Sequence, residues 1–439
     1  MLEGTFRSLR GFNYRLWAAG AFVSNIGTWM QRTAQDWIVL AELTDNNATA
    51  VGVVMALQFG PSLVLLPLTG FAADHLDRRR LLLFTQSAQG ILAFALGLLT
   101  VAGVVQLWHV YVFALLLGCV TAFDAPARQT FVAELVSDAL LSNAVALNSM
   151  SFNGARMIGP ALAGLLIAGI GTGWVFLINA ASFVAVLVAL SFLRVHELHR
   201  KERAARKVGS VLEGFGYVRR RPELMAVLAM LFVIMTFGIN FPVFVSAMAV
   251  NAFHAGSGEF GALTSMLAVG SVTGAVFAAG RAQPRAMLLL AAAIAFGASL
   301  ALAALMPSYI LFGLVLIGVG WSAQTFNTTA NSTVQLWTEP AMRGRVMAIY
   351  MAIAMGCTPL GAPLVGWVAD RFGPRWSLAV GACSGFVAAL VGVAYLVRHR
   401  GLRARRDGWR LRLELAGRDE EDAAARREVR ALDADARAK

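Results

Sequence analysis

What most constrains this chain is a succession of apolar stretches, each about 20 residues or longer, separated by short polar turns. The hydrocarbon core of a bilayer takes about 20 helical residues to cross. On that measure about twelve candidate spans can be marked, near residues 15–41, 51–73, 81–104, 107–134, 143–169, 173–193, 223–250, 258–280, 285–305, 308–337, 344–369 and 375–397. In hydrocarbon each backbone N–H and C=O must be satisfied within the protein, and these runs are far too long for barrel strands, so helices are expected. Composition agrees: 58% of residues are hydrophobic, 14% are charged, and mean hydropathy is +0.66, whereas a soluble domain carries about 25% charged residues. Met1 to Arg15 is short, polar and basic, without a small-residue cleavage site, so the first span is expected to stay in the mature protein. The fold class expected is an all-α polytopic membrane protein.

Lysine and arginine set the orientation. Arg7, Arg10 and Arg15 precede the first span, Arg78 to Arg80 follow the second, and Arg281 and Arg285 separate the eighth and ninth. Such loops belong on the cytoplasmic side. The opposite loops at 42–50, 105–106, 170–172, 251–257 and 306–307 carry no Lys or Arg, and Arg371 and Arg375 break the pattern. An even number of spans then places both termini in the cytoplasm. The net charge of +12, from 37 basic and 25 acidic residues, reads as attraction to an anionic inner leaflet and not as a nucleic-acid signal.

Residues 1–195 are expected to form an N-terminal six-helix bundle, 196–221 a cytoplasmic basic linker, 222–398 a C-terminal six-helix bundle and 399–439 a charged cytoplasmic tail. Within the tail, Trp409, Leu411, Leu413 and Leu415 among the arginines suggest a surface helix, with frayed residues beyond it. The halves are related. Gly159 and Gly361, Gly164 and Gly366, and Trp174 and Trp376 all pair at an offset of 202 (361 − 159, 366 − 164, 376 − 174), as duplication of a six-helix unit would leave them.

The turn Gly70-Phe71-Ala72-Ala73-Asp74-His75-Leu76-Asp77-Arg78-Arg79-Arg80 crowds opposite charges where one apolar run ends and the next begins. It resembles the loop between the second and third helices of the major facilitator superfamily, with His75 and Asp77 departing from the usual basic residue and glycine. Gly27 to Trp37 and Phe123 to Gln129 resemble the branch containing bacterial enterobactin and macrolide exporters. Gly154, Arg156, Gly159, Pro160 and Gly164 lie in a stretch similar to the Gly-Pro motif of the superfamily's exporters, although helix packing alone explains small residues equally well. The resemblance runs from Phe6 to Arg398. One departure is the arginine usual in the fourth span, absent from 107–122, so coupling schemes built on it do not carry over.

The resemblance implies two six-helix bundles around a central cavity and a secondary active exporter of small amphipathic compounds, drug-like or siderophore, working by proton antiport. A proton-coupled importer of nutrients or metabolites on the same fold is the alternative. It also implies a cytoplasmic gate of Gly70, Asp74, Arg78, Arg79, Asp124 and Arg128, with Asp74 against the helix starting near Gly344 and Arg78 against Asp124. The implied setting is the bacterial cytoplasmic membrane. The proton gradient would be the energy source, with no cofactor and no metal. Partners would be membrane lipids and a small-molecule substrate, not nucleic acid, around a monomer.

Candidate site residues follow from polar groups inside spans. Asn25, Trp29, Arg32 and Asp36 are spaced four, three and four apart and share one helical stripe. An ionisable side chain there costs several kcal/mol unless paired. Arg32 and Asp36 lie one turn apart, so either they form a static ion pair or Asp36 binds a proton or a cationic substrate. The tenth span supplies Gln324, Asn327, Asn331 and Gln335, and the seventh Phe237, Asn240 and Phe244 near Pro242. Amides beside rings suit amphipathic ligands. Arg156 either attracts a carboxylate or catecholate or is a packing residue satisfied by carbonyls. Enzymatic chemistry finds no footing: there is no Gly-Lys dipeptide for a phosphate loop, no Gly-x-Ser-x-Gly elbow, and Cys119, Cys357 and Cys383 lack metal-ligand spacing.

Overall fold

In a computed structural model, which describes residues 6–65, 68–69, 72, 76–199, 211–279, 286–400, 402–407 and 410–415, each long apolar run folds as a helix. The first six are α1 (Phe12–Trp37), α2 (Ala48–Val64), α3 (Arg78–Val101), α4 (Leu107–Phe131), α5 (Leu141–Ile170) and α6 (Thr172–Ser191). The next six are α7 (Pro222–Ala252), α8 (Ser257–Ala279), α9 (Ala286–Leu305), α10 (Tyr309–Trp337), α11 (Arg343–Phe372) and α12 (Pro374–Arg400). Starts are capped where water-facing turns allow: Asn47 accepts from the Ala50 N–H at 3.0 Å, and Asp77 from the Arg80 N–H at 2.9 Å. Prolines break two helices. Pro242 lies in the first turn of the second α7 segment and Pro359 in that of the second α11 segment, where a missing N–H costs nothing.

Among the described residues, ten helices are long and apolar enough to cross a membrane. The other two are α1, whose 26 residues include Arg15, Arg32, Asp36 and several amides, and α2, whose apolar helix is 17 residues long. The chain's course between its short turns runs up and down, so α1, α3, α5, α7, α9 and α11 start at one end of the bundle, called here the near end.

The two halves meet chiefly through two helix pairs, α2 with α11 and α5 with α8. The glycines at an offset of 202 sit at equivalent places in them. A Cβ on Gly164 would lie 2.5 Å from the Ser257 carbonyl of α8, and one on Gly366 would lie 2.6 Å from the Ala48 carbonyl of α2. Likewise Gly159 abuts Trp29 of α1 and Gly361 abuts Thr236 of α7, the first helix of its own half in each case. The duplication read from the sequence is therefore repeated in the packing.

One expectation fails in the tail. Instead of a surface helix, β1 (Leu402–Asp407) and β2 (Arg410–Leu415) form an antiparallel hairpin, with Leu402 opposite Leu415 and Asp407 opposite Arg410. Leu411, Leu413 and Leu415 recur every second residue, which is the period of a strand and not of a helix. The all-α description thus holds for the described spans and not for the tail. The linker's Arg200 to Ser210, Arg281 to Arg285 and the chain beyond Leu415 lie outside the described residues.

Candidate functional site

The α1 stripe divides into two environments. Near the middle of the helix the Arg32 guanidinium carbon lies 4.9 Å from the centroid of the Trp29 ring and 5.6 Å from that of Phe59 on α2. Arg156 of α5 approaches the same Trp29 ring to 5.6 Å, and Phe152 meets it edge-on at 5.7 Å. Gly159 makes this possible, because a Cβ there would stand 2.6 Å from the Trp29 Cβ. Trp29, Arg32, Asp36 and Arg156 are all partly exposed, so none of them is sealed in packing. Of the two readings of the stripe, the static Arg32–Asp36 ion pair is not formed among the described residues. Helical side chains lean toward the N-terminus, so Arg32 folds back over Trp29, while the short Asp36 cannot follow it. The two still act on each other through space.

Asn25 belongs elsewhere. Its side-chain oxygen accepts from Arg128 Nη1 at 3.2 Å, and Arg128 Nε reaches Asp124 at 3.3 Å. Asp124 also accepts from the Thr85 hydroxyl and the Gln86 amide, both at 2.7 Å. This buried network welds α1, α3 and α4 of one half together. The implied Arg78–Asp124 pair is corrected: Arg78 binds Glu134, just beyond α4. Ten helical residues span about 15 Å, so an arginine at the start of α3 reaches the end of α4 and not Asp124 deep inside it. Arg79 donates to the Leu190 carbonyl at 2.8 Å, closing the C-terminus of α6. Gly70 and Asp74 lie outside the described residues.

In α10, Gln324, Asn327 and Asn331 are partly exposed. Gln324 donates to Thr328 at 3.2 Å, Asn327 accepts from the Tyr350 hydroxyl at 2.9 Å, and Asn331 accepts from Gln335. Asn240 is wholly buried, donating to the Thr236 carbonyl at 2.8 Å across the break in α7. It bridges the break in the helix. Of the exporter-like stretch, Pro160 and Gly164 make the α5–α8 junction, where a Cβ on Gly261 would lie 2.4 Å from the Pro160 carbonyl. Gly154 has room around it, its nearest neighbour for a Cβ being Phe22 at 3.9 Å.

Residues 4–407 match the family described as transmembrane secretion effector. The chain belongs to this family of the major facilitator superfamily. It is a membrane transporter and not an enzyme. Over 370 residues it is 27% identical to the multidrug efflux pump Tap of Mycolicibacterium fortuitum, a match covering 80% of this chain and 88% of that one. It is 26% identical to the enterobactin exporter EntS of Shigella boydii, covering 82% and 85%. The staphyloferrin A transporter of Staphylococcus aureus is 25% identical, covering 81% and 89%. Among solved structures, the nucleoside transporter NupG superimposes with a TM-score of 0.65 at 14% identity, over 88% of this chain and 99% of that one. The D-xylose–proton symporter does so with 0.65 at 14% identity, over 87% and 97%. These last two share the fold.

In this transporter the residue that sequence reasoning missed is Asp370, at the end of α11. Its carboxylate accepts from the N–H groups of Ala48 and Thr49 at 2.7 and 2.8 Å and from the Thr49 hydroxyl, capping α2 of the other half. With it, Asn251 donates to the Asn46 carbonyl and Ser257 to the Gly164 carbonyl, each at 3.3 Å, and Trp37 stacks on Phe260 at 6.0 Å. Among the described residues, the hydrogen bonds joining the halves lie at the far end. A signal existed. Gly366, Asp370 and Arg375 repeat Gly70, Asp74 and Arg79 at an offset of 296 (366 − 70, 370 − 74, 375 − 79). The role is repeated too: Arg375 donates to the Ala304 carbonyl at 2.8 Å and closes α9, as Arg79 closes α6.

Proposed function

We propose that this protein is a secondary active exporter of small amphipathic compounds, drug-like molecules or siderophores, exchanging them for protons by alternating access. The reading places twelve helices across the bacterial cytoplasmic membrane, with both termini cytoplasmic and the far end outside. The observation that carries it is the match over four-fifths of the chain to relatives named as a multidrug efflux pump and an enterobactin exporter. Two features of the molecule support it. Helices of opposite halves meet through glycine-mediated backbone contacts, which suit rocking of one half on the other. An aspartate, Asp36, stands in a span without a hydrogen-bond donor among the described residues, and intramembrane carboxylates are rarely kept without a function.

The test is efflux from exporter-deficient bacteria loaded with dyes, antibiotics and siderophores, with and without this protein. Loss of protein-dependent efflux on adding an uncoupler supports gradient-driven export. Accumulation of a nutrient in place of efflux would reverse the direction, and efflux indifferent to the uncoupler would remove the proton.

A further inference from the structure

The charges along the interior do not balance evenly. Arg128, toward the near end, is matched by Asp124 and Asn25. Arg78 is matched by Glu134. Around Trp29 the situation differs: two guanidiniums, Arg32 and Arg156, share one ring and repel each other, while one carboxylate, Asp36, stands nearby. Neither arginine has a carboxylate partner in contact among the described residues. The ring face eases this, since a cation over tryptophan gains about 0.5–2 kcal/mol. That is less than the several kcal/mol that an unpaired charge costs inside a membrane protein. Two cations against one carboxylate leave one positive charge unmatched, at a place partly open and flanked by the rings of Trp29, Phe59 and Phe152.

From this geometry we infer that Arg32, Arg156 and Trp29 form a binding site for organic anions, selecting substrates that carry a carboxylate or similarly acidic oxygen group beside a flat aromatic ring. Two planar donors can grip an acidic group from two helices, α1 and α5. Phe152 and Phe59 offer apolar faces for the attached ring. A cationic aromatic compound finds repulsion where an anionic one finds pairing, so charge sign and not size sets the preference. Because α5 also carries Pro160 and Gly164 at the junction between halves, an anion bridging α1 and α5 would act on a helix that must move. The inference rests on the exporter reading for its physiological meaning, and on the site alone for binding.

The experiment uses purified full-length protein and three probes of equal shape: 1-pyrenebutyrate, 1-pyrenebutanol and 1-pyrenebutylammonium. Binding is read by energy transfer from tryptophan to pyrene. The butyrate should bind at least about tenfold tighter than the other two. Arg156→Gln and Arg32→Gln should each erase that preference, and Arg156→Lys should keep most of it, which guards against a folding defect. Equal binding of the ammonium or the alcohol, an unchanged preference in both Gln variants, or no binding of any probe overturns the inference. The two readings separate cleanly. Uncoupler-sensitive efflux of neutral or cationic dyes with no anion preference leaves the exporter standing and the site refuted. Anion preference in a protein that expels nothing leaves the site standing and refutes the exporter.

Discussion

Asp36 and Asp124 are both aspartates inside spans, and their surroundings differ. Asp124 receives hydrogen bonds from Thr85, Gln86 and Arg128 and is buried. Among the described residues, the hydrogen bonds it makes stay within one half. Removing one partner of such a buried pair costs about 3–5 kcal/mol. Arg128→Ala should therefore lower the thermal midpoint of the detergent-solubilised protein well below that of Arg78→Ala, whose partner Glu134 lies at the bundle end; equal midpoints would mean that the network does not hold the half together. Asp36 has no such scaffold among the described residues. Asp36→Asn should leave the thermal midpoint near that of the parent while gradient-driven efflux drops to the level seen with uncoupler. Undiminished efflux would take Asp36 out of the mechanism. The stripe carrying Asn25, Trp29, Arg32 and Asp36 was legible because helical spacing follows from residue numbers alone. Its partners were not. Arg78 had two acids ten residues apart to choose between, and only the meeting of α3 with α4 decides.

At the scale of the helix, one stretch of α5 holds both necessary and dispensable glycines. Gly164 is pressed against α8, with 2.5 Å between a virtual Cβ and the Ser257 carbonyl, while the same atom on Gly154 meets nothing nearer than 3.9 Å. Backbone atoms cannot yield as a side-chain tip does. Gly154→Ala should transport like the parent, and Gly164→Ala should transport poorly and show weakened α5–α8 cross-linking between engineered cysteines. Equal transport by both variants would mean that the stretch is not a junction between halves. Residue pattern located the motif but not this division, since small residues look alike until the opposing helix is in place. The tail teaches the converse. Its leucine alternation was visible and pointed to a strand, yet the expectation of an interfacial helix followed the arginines instead of the period.

For the whole molecule, the same Gly-x-x-x-Asp signature occurs twice in the sequence, as Gly70 to Asp74 and as Gly366 to Asp370. At the far end the work of the second is visible: Asp370 caps α2 across the halves. Arg371 and Arg375 stand as exceptions to the charge rule in the sequence, and the structure shows why one of them is there: Arg375 closes α9. The proposed alternating access requires the far-end contacts to break together when the halves rock. A lost cap costs about 0.5–2 kcal/mol, and one or two kcal/mol moves a two-state balance by about 5- to 30-fold. Asp370→Ala should thus favour the form open at the far end. With Cys119, Cys357 and Cys383 replaced by alanine, Ser257→Cys, buried against Gly164, should react slowly with an impermeant maleimide applied outside the cell. Adding Asp370→Ala should raise that rate several-fold, and Asp370→Asn, which keeps an acceptor without the charge, should fall between. An unchanged rate in both would mean that the halves are held shut by the α2–α11 and α5–α8 packing, and that the cap only tidies a helix end.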